Sequence, residues 1–149
     1  MNAAALADLR SAVTPKRGRR ALILDAVVAI GSQGGYDAVQ MREVAERADI
    51  AIGTLYRYFP SKVHLLVSAL GREFERFDTG YDWAASGATA QQRLRRLIDR
   101  VNEEWQRNPG LTEAMTRAFV FADASAAAEV DHAANVFDGM LARPMSGGE

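Results

Sequence analysis

Cysteine is absent from the 149 residues, which removes disulfides and thiolate metal sites from consideration. Histidine is scarce. His64 and His132 stand too far apart for a ligand spacing such as HExxH, and no Walker loop, dinucleotide glycine fingerprint or nucleophile elbow occurs. No metal site and no catalytic residue is therefore expected, no cofactor is implied, and the chain does not read as an enzyme. His64, two residues after Lys62, reads as an exposed helix residue. The carboxylates Glu43, Glu46, Asp99 and Glu103 fall on polar helix faces, where pairing with Arg three or four residues away is their ordinary role. No apolar run approaches the roughly 18 to 20 residues of a membrane span, and the N-terminus lacks the apolar segment of a secretory signal. Composition thus agrees with a soluble, cytoplasmic protein without a membrane partner. Strand-type alternation is missing throughout, which makes the class all-α.

The net charge is only −1, but it hides an asymmetry. Residues 1–64 carry nine Lys/Arg against six Asp/Glu, a balance of +3, whereas residues 65–149 carry nine against thirteen, a balance of −4. Lys16, Arg17, Arg19 and Arg20 concentrate much of the basic excess just ahead of the first amphipathic stretch. Such an arm can reach a minor groove or the phosphate backbone, with salt-sensitive affinity. It can equally be the solvated basic start of a helix.

Apolar positions Leu22, Ile23, Ala26, Val27 and Ile30 predict a first helix from Arg19 to about Ser32, ended by Gly34 and Gly35. Met41, Val44, Ala45 and Ala48 share one face of a short second helix, which Asp49 and Ile50 break. A third, from Ile52 to Tyr58, opens on Gly53 and Thr54, small enough for close approach to a phosphate or a base edge. Leu55 and Phe59, four apart, should pack inward and leave Thr54, Tyr56, Arg57 and Tyr58 on the remaining surface. Two helices joined by so short a turn have the geometry that lays a recognition helix in the major groove. Hydroxyls and guanidinium groups donate to phosphate oxygens, and a threonine methyl can meet a thymine methyl. Ser61 has the chemistry of an N-cap for the next helix, and Lys62 adds a cation in its first turn. Tyr and Phe at helical spacing also suit simple packing, but packing does not demand the order of residues in GTLYRYFPSK.

That segment carries a family resemblance. GGYDAVQMREVAERADIAIGTLYRYFPSKVHLLVSAL, within about residues 18–75, resembles the DNA-binding domain of the tetracycline-repressor (TetR) family of bacterial transcription regulators. Beyond it, LTEAMTRAFVFADASAAAEVD, with RNP before it, is similar to the ligand-binding half of the actinobacterial repressors of cholesterol and steroid catabolism within that family. The resemblance implies an all-helical homodimer that represses promoters at palindromic double-stranded operators. It also implies release from DNA by a small apolar effector, which for the steroid subgroup is a coenzyme A thioester. Carried over residue by residue, it places Arg42 and Thr54 near bases and Tyr56, Tyr58 and Lys62 on phosphates, with Gly53 allowing close approach. The usual Thr or Ser cap of the helix-turn-helix is replaced here by Val39 and Gln40, which weakens the cap.

The expected organisation is a flexible basic arm over 1–17, a helix-turn-helix domain over 18–62 and a helical ligand-binding or partial regulatory domain over 63–149. A fourth helix from Lys62 to about Phe77 presents Val63, Leu66, Val67, Leu70, Phe74 and Phe77. Residues 79–89 read as a loop. Leu94, Leu97, Ile98, Val101 and Trp105 mark a fifth helix, and Leu111, Ala114, Met115, Ala118, Phe119 and Ala122 a sixth. A seventh begins around Ser125 and is broken by Pro144. The family usually continues for two more helices, which build the dimer interface, so a truncated member is expected and its dimerisation through those helices is in doubt. Trp105, Met115, Phe119, Phe121, Phe137 and Met140, interleaved with alanines, are the candidate lining of an effector pocket, although each taken singly also suits core packing. The leading expectation is a repressor of steroid or lipid catabolism genes. Its rival is a sensor or interaction protein of the same fold that cannot hold an operator.

Overall fold

The computed structural model describes residues 16–79 and 89–145. Seven α-helices occur among them: α1 (Lys16–Ala38), α2 (Met41–Ala48), α3 (Ile52–Tyr58), α4 (Lys62–Thr79), α5 (Ala90–Arg107), α6 (Pro109–Phe121) and α7 (Ala127–Met145). A single 3-10 turn, Ala124–Ala126, precedes α7. The described residues contain no strand.

Helix α4 is the axis of the molecule. From His64 to Gly71 every residue is buried, because α1, α6 and α7 all pack around it. Leu65, Leu66, Val67 and Leu70 supply the apolar mass, and Phe74 continues the core by contacting Trp105 of α5 and Phe137 of α7 at centroid distances of 5.9 and 5.1 Å. Burying one such side chain stabilises by about 1.5–3 kcal/mol. Helix α5 joins more lightly: only Arg93 and Leu97 are buried. Its start is fixed by a capping box in which the Thr89 side chain accepts from the Gln92 N–H while Gln92 reaches back. Asn108 caps α6, accepting from the Leu111 N–H, with Pro109 in the first turn.

Helices α1 and α6 pack closely where they cross. Gly110 lies so near Ser32 and Gly31 that a Cβ there would stand 2.7 and 2.9 Å from their carbonyl oxygens. Asn108 Nδ2 also donates to Ser32 Oγ at 2.8 Å across the same crossing.

Several sequence expectations are corrected. Lys16, Arg17, Arg19 and Arg20 belong to α1 itself rather than to an arm ahead of it, and residues 1–15 of that arm lie outside the described residues. Of the two glycines expected to end the first helix, Gly35 alone leaves the helical region, with φ 74° and ψ −162°. The chain then makes one further helical turn to Ala38. Leu22, Ile98 and Phe119, placed on apolar faces, are exposed. His64 is buried, not exposed. Pro144 does not break α7 but sits inside its last turn, buried, with its carbonyl accepting from Arg93 Nε at 2.8 Å. Of the expected 79–89 loop, residues 80–88 lie outside the described residues.

Candidate nucleic-acid interface

Helices α2 and α3 form the expected helix-turn-helix. Val44, Ala45 and Ala48 bury the inner face of α2. Asp49 ends it in the left-handed conformation, φ 60°, from which its N–H returns to the Glu46 carbonyl and that of Ile50 to Ala45. A short Asp tolerates this conformation better than most residues. Gln40 stands at the N-cap of α2 without a side-chain cap, as the replacement of the usual hydroxyl residue foretold.

Leu55 and Phe59, at 0% and 1% exposure, pin α3 to the core. That fixes the outer face. Gly53, Tyr56 and Arg57 are exposed, while Thr54 and Tyr58 are half-buried. A Cβ added at Gly53 would meet nothing within 4 Å, so the absence of a side chain serves no internal contact. Arg42 is exposed in the first turn of α2. Arg20 of α1 lies with its guanidinium carbon 5.1 Å from the Phe59 ring centroid, a cation–π contact that brings α1 against the end of α3. Helices α1, α2 and α3 thus carry cations, hydroxyls and an open glycine, residue types suited to phosphates and base edges.

Lys62 stands at the start of α4, where Ser61 Oγ accepts from the His64 N–H at 3.4 Å. Its ammonium is held from within: Nζ donates to the Tyr36 carbonyl at 3.2 Å and lies 3.9 Å from the Tyr36 ring centroid. The same ring meets the Arg117 guanidinium at 4.8 Å and the edge of Phe121 at 5.5 Å. The Tyr36 N–H donates to Glu113 Oε2 at 3.0 Å. Arg117 completes the cluster by bonding both Glu113 and Asp37. The Tyr36 N–H and the Arg117 guanidinium hold the Glu113 carboxyl below its usual value, and Glu113 in turn holds the Arg117 guanidinium above its own.

A second tie reaches the same turn of α4. His64 Nδ1 is 2.7 Å from Ser61 Oγ, and Nε2 is 3.0 Å from the Ser125 carbonyl, in the connection between α6 and α7. Asp123 fixes that connection by accepting from the Ser125 hydroxyl and N–H, which keep its carboxyl below its usual value.

The residues proposed for an effector pocket are divided. Trp105 and Met115 help line a cavity of about 260 Å³ among α4, α5 and α6, with Phe77 and Leu111 as further apolar wall and Arg76 and Arg100 as cations. Phe137 packs on Phe74, and Met140 is fully buried in the core. Phe119 and Phe121 are exposed, Phe121 against Tyr36 rather than in the cavity. Tyr36, Glu113 and Arg117 were not singled out from the sequence, and His64 was read only as an exposed helix residue. For Tyr36 the available signal was its place inside the matching GGYDAVQM stretch; for His64 it was the neighbouring Ser61.

Comparison with known proteins agrees along the whole chain. Residues 23–69 match the family described as bacterial regulatory proteins, tetR family, and residues 87–149 match the tetracyclin repressor-like C-terminal domain. The HTH-type transcriptional repressor KstR of Mycolicibacterium smegmatis is 64% identical over 149 residues, covering 99% of this chain and 73% of that protein. Its counterpart in Mycobacterium tuberculosis is 61% identical over 150 residues, covering all of this chain and 68% of that protein. A crystal structure of a TetR transcriptional regulator from Rhodococcus sp. RHA1 superposes with a TM-score of 0.80 at 30% identity, over 88% of this chain and 70% of that one.

Proposed function

The chain belongs to the TetR family of bacterial transcription regulators, closely related to the KstR repressors, and from that premise we propose that it is a sequence-specific DNA-binding repressor of steroid or lipid catabolism genes. The observation that carries this reading is the outer face of α2 and α3, where Arg42, Gly53, Tyr56 and Arg57 are exposed on a scaffold fixed by buried Leu55 and Phe59. Arg42 and Thr54 read bases, while Tyr56, Tyr58, Arg57 and Lys62 hold phosphates. Arg19 and Arg20, with Lys16 and Arg17 ahead of them, add backbone contacts from α1. Two copies bound a helical turn apart read the two halves of a palindrome.

The releasing ligand in this proposal is a small apolar molecule of steroid acyl thioester type. The cavity lined by Trp105 and Met115, about 260 Å³, falls just below the roughly 300–1,000 Å³ of pockets that enclose a drug-sized molecule. It suits one end of such an effector rather than the whole. No helix of the described residues is long and apolar enough to cross a membrane.

A fluorescence-anisotropy titration of the chain against a palindromic promoter duplex from a steroid-catabolism cluster, and against a scrambled duplex, tests the proposal at two salt concentrations. Preference for the palindrome that survives the higher salt supports it. Weak, equal binding erased by salt overturns it in favour of a sensor or interaction protein of the same fold.

A further inference from the structure

We propose that Tyr36 is a positioning residue for Lys62, through which α6 sets where the Lys62 ammonium stands at the DNA-facing end of α4. The inference rests on the DNA-binding reading above and adds to it the route by which the second half of the chain reaches a phosphate contact. A lysine ammonium on four methylenes ordinarily samples many positions. Here two contacts with one residue restrict it, the Tyr36 ring at 3.9 Å and the Tyr36 carbonyl at 3.2 Å. The carbonyl takes one of three N–H donors. The ring faces another, and the third remains for a phosphate oxygen.

What fixes Tyr36 is α6. The residue before it, Gly35, departs from helical geometry with φ 74°, so the turn carrying Tyr36 is not a rigid continuation of α1. Its N–H is held by Glu113, its carbonyl also accepts from the Val39 N–H at 3.1 Å, and its ring is held by Arg117 and Phe121. The bare Gly35 admits Glu113 to this turn, because a Cβ there would collide with Glu113 Oε2. A displacement of α6 by the one or two ångströms usual for helix shifts in switching proteins therefore moves Tyr36 and, with it, the ring and carbonyl on which Lys62 rests. Arg72 and Arg76 pair with Asp25 of α1, and Arg143 with Asp78 of α4, but none of those pairs involves a residue of the proposed DNA surface.

The test is a double-mutant cycle on duplex binding, with Tyr36→Leu, Tyr36→Phe, Lys62→Met and the combination Tyr36→Leu with Lys62→Met. Tyr36→Leu is expected to weaken binding to the palindrome and the scrambled duplex alike, about two- to fivefold for the lost ring contact. Tyr36→Phe keeps the ring and carbonyl and is expected to bind as the unaltered chain does. In the Lys62→Met background Tyr36→Leu should cost nothing further. An equal cost in both backgrounds overturns the positioning role. Lys62→Met alone checks the underlying reading, since it should lower the salt slope of log K by about 0.9; an unchanged slope sinks the phosphate contact itself and leaves the tether to be judged separately. That separate measurement needs no variant. In the free protein the Lys62 Cε protons should show an upfield ring-current shift, and Glu113→Ala should reduce it. Random-coil shifts, or no change with Glu113→Ala, overturn the tether and its dependence on α6 respectively.

Discussion

Gly110→Ala and Gly139→Ala are the same chemical change in a helix, yet the structure assigns them opposite signs. In an open helical site the change favours folding by roughly 0.5–1 kcal/mol, because alanine loses less backbone freedom than glycine. Gly139 is such a site: it is exposed on α7 and a Cβ there meets nothing within 4 Å. At Gly110 the new Cβ would lie 2.7 Å from the Ser32 oxygen and 2.9 Å from the Gly31 oxygen. Both are backbone atoms and cannot swing aside, so α6 must back away from α1. Forcing one extra carbon into a close-packed contact costs about 1–3 kcal/mol, and the helix-propensity gain, at most about 1 kcal/mol, offsets only part of it. A net loss of about 1–2 kcal/mol should lower the thermal midpoint by about 2–8 °C for a chain of this size, whereas Gly139→Ala should raise it by a few degrees. Urea and thermal unfolding followed by circular dichroism measure both. A Gly110→Ala midpoint at or above that of the unaltered chain would refute the close-crossing argument.

Gly53→Ala separates folding from DNA contact. With no atom within 4 Å of the new Cβ, stability should be unchanged or raised by up to about 1 kcal/mol, while palindrome affinity falls roughly tenfold, about 1.4 kcal/mol; unchanged affinity would take Gly53 off the DNA surface. Acid should loosen the cluster around Tyr36. The Glu113 carboxyl is held below its usual value by the Tyr36 N–H and Arg117, so the stability it contributes is complete above the value for the unfolded chain and is lost as pH falls through the lowered folded value. The gap in urea midpoint between the unaltered chain and Glu113→Gln should therefore be widest near neutrality and close in acid; a gap constant across that range would contradict the assignment.

The helix-turn-helix was legible because its determinants are local. Val44, Ala45 and Ala48, then Leu55 and Phe59, recur at helical spacing within one short segment, and all are buried as that spacing requires. Periodicity failed where a helix is apolar on more than one side. In α6, Phe119 and Phe121 extend the apolar pattern but are exposed, since the face that packs on α1 and α4 is already filled by Leu111, Ala114, Met115 and Ala118. The start of α1 was misjudged because a run of cations contains no apolar residue to mark helix, and charge does not prevent one. The ties around Lys62 and His64 were invisible for a different reason. Tyr36 meets Glu113 across 77 positions, Arg117 meets Asp37 across 80, and His64 meets Ser125 across 61. No local spacing encodes contacts of that range.

Those distant ties converge on a single turn. Lys62 is held through Tyr36 to α6, and His64 through Ser125 to the connection that follows α6. Both belong to the first turn of α4, three and five residues beyond Phe59, the residue that anchors the end of α3. Further along, α4 is buried on every side to Gly71, and close-packed interiors do not deform continuously. A displacement of α6 therefore has two places to be absorbed: the core around α4, where it would open voids, or the Ser61 to His64 turn, where polar ties can exchange for water. The second is the less costly, because Ser61 and Lys62 are only partly buried and hydrogen bonds there can exchange with solvent at a net loss of about 0.5–1.5 kcal/mol each, whereas emptying a core site costs about 2–5 kcal/mol. On the proposed reading, a shift of α6 would thus be taken up at the residues immediately behind α3.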